Sequence, residues 1–234
     1  MKKSLLLFMI ILGFIYCSFG QNIIENPGFE LWEDAGASVD EPVDWNSIQT
    51  SDADFMIRNF APVVLNRSTD AYRGKYSLQL INKSAAGTVD PGLTTNGRIH
   101  AVMDREKGYI YTDTADSRWN TPFTARPDSI VGWYKCFPKE GDNGKVQVVI
   151  HTGMASISEN NSKKNWIGTA QFLLPSSEVS SWTRFSTPFT YFNSNTPEYI
   201  LIILTSGNGL KAVDGSEAYF DALELKFNSG NDKK

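Results

Sequence analysis

From Phe29 onward the chain reads as short runs of alternating apolar and polar residues, each closed by Gly, Pro, Asn, Asp or Ser. A period of two is the mark of a half-buried β-strand. The runs fall at 29–32, 54–57, 77–82, 109–112, 130–137, 145–152, 169–174, 183–190, 199–205 and 218–227. No stretch keeps a helical period over several turns, and only 176–182 suits a single turn. Short strands joined by turn-rich loops predict an all-β fold. The expectation is a two-sheet antiparallel β-sandwich of the jelly-roll type over residues 21–227, with 228–234 as a flexible tail. The Gly/Thr/Asn-rich connection at 83–98 is long enough to build a binding surface on such a scaffold.

Alternation also predicts which side chains face inward. In 130–137, Trp133 and Lys135 share one face and Ile130, Tyr134 and Cys136 the other. Lysine prefers water, so the Trp133 face is expected to be open. In 145–152, Val146, Val148 and Ile150 make an apolar face, while Gln147, Val149 and His151 make a mixed one. Trp133, Lys135, Gln147 and His151 would then line one open sheet face. The alternative is that these strands are buried on both faces and His151 is a hydrogen-bonded core histidine. In the last strand Tyr219, Asp221, Leu223, Leu225 and Phe227 are expected to face the core, which puts Asp221 at the entry of a buried face. A lone buried carboxylate costs several kcal/mol, to order of magnitude, unless it is paired.

The N-terminus changes the picture of where the protein works. Lys2 and Lys3 precede an apolar run from Leu5 to Ile15, and Ser18 and Gly20 supply small residues for cleavage after Gly20. This predicts a secretion signal over 1–20 and an exported protein, periplasmic, outer-membrane-associated or extracellular. Lipid attachment at Cys17 is the rival, disfavoured by the bulky Tyr16 just before it. Losing Lys2 and Lys3 takes the net charge from −4 to −6. With no basic run, nucleic acid is not an expected partner. No later segment approaches the 18 or so apolar residues of a membrane span. Aromatic residues at 12% and charged residues at 21% exclude a disordered chain. After cleavage Cys136 is the sole cysteine, which rules out an internal disulfide.

Several motifs then fall into a series: Asn26-Pro27-Gly28-Phe29-Glu30, Pro42, Trp45, Gly74-Lys75-Tyr76-Ser77-Leu78, and Tyr219-Phe220-Asp221-Ala222-Leu223-Glu224-Leu225. This series resembles the galactose-binding-like jelly-roll domains used as carbohydrate-binding modules. The central Pro122-Phe123-Thr124-Ala125-Arg126-Pro127 and Gly132-Trp133-Tyr134-Lys135 resemble the carbohydrate-metabolism domain of bacterial surface glycan-utilisation systems. The resemblance implies a structural calcium between the chain ends, held by Glu30, Asp221 and backbone carbonyls around 73–77, a hard oxygen set that suits this ion. The alternative is that Glu30 or Asp221 pairs with Arg73 or Lys75. It also implies a polysaccharide or oligosaccharide ligand, and other glycan-binding proteins of the cell envelope as partners.

Sugars present apolar ring faces and a hydroxylated rim, so proteins stack them on Trp or Tyr and hydrogen-bond the edge. Trp119, in the polar loop Asp116-Ser117-Arg118-Trp119-Asn120, is the expected platform, with Arg118 beside it. Trp166 is a second such position, and Trp133, Lys135, Gln147 and His151 form the expected groove. Arg126 either binds ligand or clamps a neighbouring loop. Trp45 and Trp182 are expected in the core. The chain carries two histidines and no metalloprotease, serine-hydrolase or phosphate-loop signature. A non-catalytic binding module is the leading expectation. The alternatives are a glycoside hydrolase or lyase on the same fold, the lyase recasting His151, Lys135 and Arg126, and an envelope interaction module, which would expose a broad apolar patch.

Overall fold

The computed structural model describes residues 23–36, 39–158 and 163–227. The expected signal at 1–20 and tail at 228–234 lie outside the described residues. Among the described residues, two antiparallel sheets form the body, as the strand pattern predicts. The five-stranded sheet runs, in spatial order, Val179–Pro188, Ser129–Phe137, Glu217–Lys226, Ser77–Ile81, Leu65–Ser68. The six-stranded sheet runs Thr121–Pro122, Tyr199–Thr205, Lys145–His151, Trp166–Leu173, Thr190–Tyr191, with Leu93–Thr95 also paired to Tyr199–Thr205. The core between them is closed by Leu78, Leu80, Ile130 and Phe220 from one sheet and Val146, Val148, Ile150 and Ile202 from the other. Phe29 and Trp45, both fully buried and 5.1 Å apart between ring centroids, seal one end.

Four local expectations are corrected. Residues 54–57 are not a strand: Asp54 caps the helix Phe55–Phe60 by accepting from the Ile57 N–H at 3.0 Å. An Asp ahead of a short apolar run is a helix-start signal, and here it wins over the two-residue alternation. In place of the helical turn expected at 176–182, a bend at 176–177 leads into the strand Val179–Pro188. In the first run, Phe29 takes a left-handed conformation (φ 52°) at the end of the Asn26 turn, and the strand begins only at Trp32. In the last strand the facing slips. Pairing with Ser129–Phe137 shifts between Asp221 and Glu224, and Ala222 has φ 49°. Ala218 and Phe220 therefore face the core before the irregularity, and Leu223 and Leu225 after it. A bulge inserts one residue and inverts the alternation beyond it.

That bulge leaves Asp221 buried on the outer side of the sheet, beneath the 72–76 turn. Asp221 Oδ2 accepts from the backbone N–H groups of Tyr72 (2.8 Å) and Arg73 (3.0 Å). Glu30 accepts from the N–H groups of Lys75 and Tyr76. The chain ends thus meet through two carboxylates that hold one turn by its backbone. Gly74 sits at the apex with φ 78°, and a Cβ there would stand 2.1 Å from Glu30 Oε1. Gly74→Ala is expected to destabilise by more than the ~1 kcal/mol that positive φ alone costs an alanine. Gly87→Ala, also at positive φ but with open space around it, serves as the reference. Equal losses of denaturation midpoint in the two variants would contradict the packing role of Glu30.

Candidate functional site

The expected groove is not assembled. Trp133 and Lys135 lie on the five-stranded sheet, while Gln147 and His151 lie on the six-stranded sheet. Consecutive strands in the chain enter different sheets, so their outward faces point to opposite sides of the sandwich. Trp133 stacks on Tyr72 (3.7 Å between centroids, 14° between planes) over the five-stranded sheet. Lys135 is buried rather than open. Its ammonium pairs with Asp70 and lies over the rings of Trp182 (5.3 Å) and Tyr219 (4.9 Å). Trp182 is half-buried on this outer face, not in the core, and donates to Asp70 Oδ1 at 3.0 Å. The polar groups of this cluster are spent on one another and hold the loop that carries Asp70 and Tyr72.

The other expected platforms also pack inward. Trp119 is 4% exposed. It ends the short helical turn Ser117–Trp119, capped by Asp116, and Arg118 lies over its ring at 4.6 Å while pairing with Glu33. Trp166 is buried with Val149, Ala155, Ile157, Leu201 and Ile203 in a second apolar cluster. Arg126 is a clamp: it donates to the carbonyls of Asn193 (2.8 Å) and Asn195 (3.0 Å) and lies over Tyr191 at 4.0 Å. Trp45 is core, as expected.

His151 and Gln147 are buried because the six-stranded sheet is covered on both faces. His151 Nδ1 lies 3.0 Å from the Gly153 carbonyl and Nε2 lies 2.8 Å from Thr112 Oγ1. A carbonyl only accepts, so Nδ1 carries the proton and Nε2 accepts from the threonine hydroxyl. Burial pushes this imidazole down to about 4. It is a neutral core histidine and has no access to a ligand.

The covering segments leave a hollow that the strand pattern does not announce. A cavity of about 650 Å³ stands over the outer face of the six-stranded sheet. Leu93, Ile203 and Thr205 contribute to its lining from that sheet, joined by Ile99, Ile110 and Ile157 from the smaller sheet Arg98–His100, Tyr109–Tyr111 and Ser156–Ile157. Met56 and Phe60 line it from the helix, Thr88 and Asp90 from the hairpin Lys83–Ala85/Thr88–Asp90, and Met103 and Leu210 from two loops.

Several of its polar groups are held in place by neighbours, some of them outside the lining. His100 stacks on Tyr109 at 4.4 Å, and its Nδ1 donates to both oxygens of Asp52 (3.1 and 3.0 Å). Tyr111 also donates to Asp52 at 3.1 Å, and burial beside that carboxylate pushes its hydroxyl up to about 12. Arg105 lies 3.5 Å from Asp90 and donates to the Val89 carbonyl. Burial raises the Asp90 carboxyl above the usual range. None of these side chains was singled out from sequence. The one usable signal was the long 83–98 connection, which builds the hairpin wall and the Leu93–Thr95 strand.

A two-sheet antiparallel sandwich with a ligand-sized cavity over one sheet is the class that fold and site define. No family model matches the chain, and no curated protein matches it. Solved structures similar to it in overall shape include TmCBM61 in complex with β-1,4-galactotriose (9% identity, TM-score 0.39, covering 88% of this chain and 97% of that one). A CBM4 structure is 14% identical at TM-score 0.38, covering 87% and 99%. The C-terminal family 22 carbohydrate-binding module of Clostridium thermocellum Xyn10B is 11% identical at TM-score 0.34, covering 88% and 98%.

The His151 geometry carries a pH prediction. Its folded value of about 4 lies below the ordinary 6.5, so between these limits the unfolded chain binds a proton there and the folded chain does not. Stability attributable to this group is complete above pH 6.5 and declines as pH falls toward 4, by about 3 kcal/mol in all. Carboxyls raised by burial, such as Glu41 and Asp221, act in the opposite sense. The effect is therefore read as the difference in unfolding free energy between wild type and His151→Gln across that range. A difference independent of pH would contradict a buried neutral imidazole.

Proposed function

We propose that this chain is an exported, non-catalytic carbohydrate-binding module that holds a glycan in the cavity over the six-stranded sheet. It would act in or beside a glycan-capture complex of the cell envelope. The observation that carries this reading is the cavity itself: about 650 Å³, within the range of small-molecule sites, with an aromatic wall at Tyr109 and a few immobilised polar groups. Tyr109 offers a ring for stacking, and Asp90, Arg105 and His100 offer hydrogen bonds to hydroxyls. Each is already oriented by a protein partner, so binding orders little that is loose. Export rests on the N-terminal signal pattern, and the envelope setting on the resemblance of the 122–127 and 132–135 motifs to surface glycan-utilisation systems.

Hydrolysis is the weaker reading. Glycoside hydrolysis ordinarily takes two carboxylates at a set separation. Among the described residues, Asp90 is the one carboxylate on the cavity wall. A lyase reading keeps one supporting observation, since His100 is oriented by Asp52 beside Tyr109, with Arg105 on the same cavity. The lyase set expected from sequence, His151, Lys135 and Arg126, is dispersed over the molecule.

The test is a glycan-array screen of the chain from Gln21, followed by titration of each hit. Tyr109→Ala is expected to weaken binding at least tenfold, about 1.4 kcal/mol. Trp133→Ala, on the opposite sheet, is expected to leave affinity unchanged. The reverse pattern would overturn the site, and release of shortened saccharide during incubation would overturn the non-catalytic reading.

Calcium at the chain ends is the second part of the proposal. Among the described residues, buried Asp221 Oδ1 meets no hydrogen-bond donor, and the nearby Glu30 charge adds to the burial that raises the Asp221 carboxyl. A bound divalent cation would satisfy that oxygen and neutralise both carboxylates. Glu30, Asp221 and carbonyls of the 73–77 turn are the groups that would hold it, and its contribution would be to brace the turn. At free calcium 1,000-fold above Kd, binding would add about 4 kcal/mol. Chelation is expected to lower the melting temperature of the wild type and not of Asp221→Asn. Identical wild-type melting with calcium and with chelator would contradict the metal.

A further inference from the structure

The cavity is more apolar than a bare saccharide requires. Met56, Phe60, Met103 and Leu210 all line it, and they are 61, 73, 84 and 43% exposed. A single exposed apolar side chain needs no explanation, but four from three separate segments around one hollow do. The helix Phe55–Phe60 buries none of its six residues, although Met56, Ile57 and Phe60 all line this cavity. Below them lie Leu93, Ile99, Ile110 and Ile203, which offer no hydrogen bond to a hydroxyl. A sugar pushed onto that surface would lose water from its hydroxyls with nothing in return. A flexible hydrocarbon chain would lose nothing, and methionine adapts well to such a chain.

The polar groups suit the other half of an amphiphile. The His100–Tyr109 pair and the Asp90–Arg105 pair border the same hollow. Arg105 is offset by Asp90, His100 is engaged by Asp52, and Lys145, which also lines the cavity, is partnered as well. Among the described residues, no charged group on the cavity wall stands without a partner, so nothing there calls for an ionic head group. An uncharged, hydroxyl-bearing one matches what these residues offer.

We propose that the cavity takes an amphiphilic glycoside: a saccharide bearing an uncharged alkyl or acyl chain, with the chain against Met56, Phe60, Met103 and Leu210 and the sugar against Tyr109 and the Asp90–Arg105 pair. This rests on the glycan reading above and narrows it to acylated or lipid-linked sugars. The experiment titrates the chain from Gln21 with methyl, butyl, hexyl and octyl β-glucoside below their micelle concentrations, and with octanol alone. Affinity is expected to rise with chain length, by up to about fourfold per buried methylene, and octyl glucoside is expected to bind at least tenfold tighter than octanol.

Phe60→Ser and Met103→Ser change exposed side chains, so the fold is expected to survive, as checked by unaltered melting. They are expected to flatten the chain-length dependence, weakening octyl glucoside more than methyl glucoside. Equal affinity for methyl and octyl glucoside would overturn the amphiphile and leave the glycan reading standing. Equal affinity for octanol and octyl glucoside would overturn both. Absence of binding by every probe would overturn the amphiphile, because the chain alone should then be held.

Discussion

The constraint on which the rest depends is that the six-stranded sheet is buried on both faces. Val146, Val148 and Ile150 look into the sandwich core, and Val149, Leu201 and Ile203 look the other way into a second apolar cluster. An antiparallel sheet ordinarily solvates one face. Here Val149, Leu201 and Ile203 make an apolar stretch of the outward face beside Gln147 and His151, and covering segments bury it. The small sheet around Tyr109–Tyr111, the helix Phe55–Phe60 and the 83–90 hairpin do so incompletely, and the gap they leave is the cavity. The cavity is thus a product of the same burial that stabilises the sheet.

The opposite face follows a different logic. Over the five-stranded sheet, Lys135, Asp70, Trp182, Tyr219 and the Trp133–Tyr72 stack satisfy one another. Together with Asp221 and Glu30, they fix the 69–76 segment across the chain ends. Arg118 and Arg126 spend their guanidinium groups in the same way, on Glu33 and on backbone carbonyls. The aromatic residues that look like ligand platforms in the sequence are largely structural here, while Tyr109, which lines the cavity, sits in a short strand with no such signature.

This explains what was legible beforehand. Strands at 77–82, 130–137, 145–152, 199–205 and 218–227 announce themselves by alternation and recur with nearly the same bounds. Alternation also put Trp133 on the outer side of its strand. It failed where the backbone breaks period: the bulge at Ala222 inverts facing, and the Asp54 cap turns an alternating stretch into helix. It is silent on which sheet each strand joins, so alternation alone brings Trp133 and His151 together although they lie on opposite sides. The sequence reading brings Glu30 and Asp221 to the 73–77 turn through calcium or through the Arg73 or Lys75 side chains, whereas the contacts in the structure are to backbone N–H groups, which carry no mark in a sequence. The cavity was illegible because its lining comes from segments distant along the chain, no one of which has a binding signature.

The most direct measurement is backbone amide chemical-shift mapping by nuclear magnetic resonance, with the chain from Gln21 titrated against octyl β-glucoside below its micelle concentration. The account predicts shifts concentrated in the helix Phe55–Phe60, the 83–90 hairpin and residues 99–110, with 70–76, Trp133 and Trp182 unmoved. Shifts centred on the Trp133–Tyr72 face, with the cavity lining silent, would contradict it.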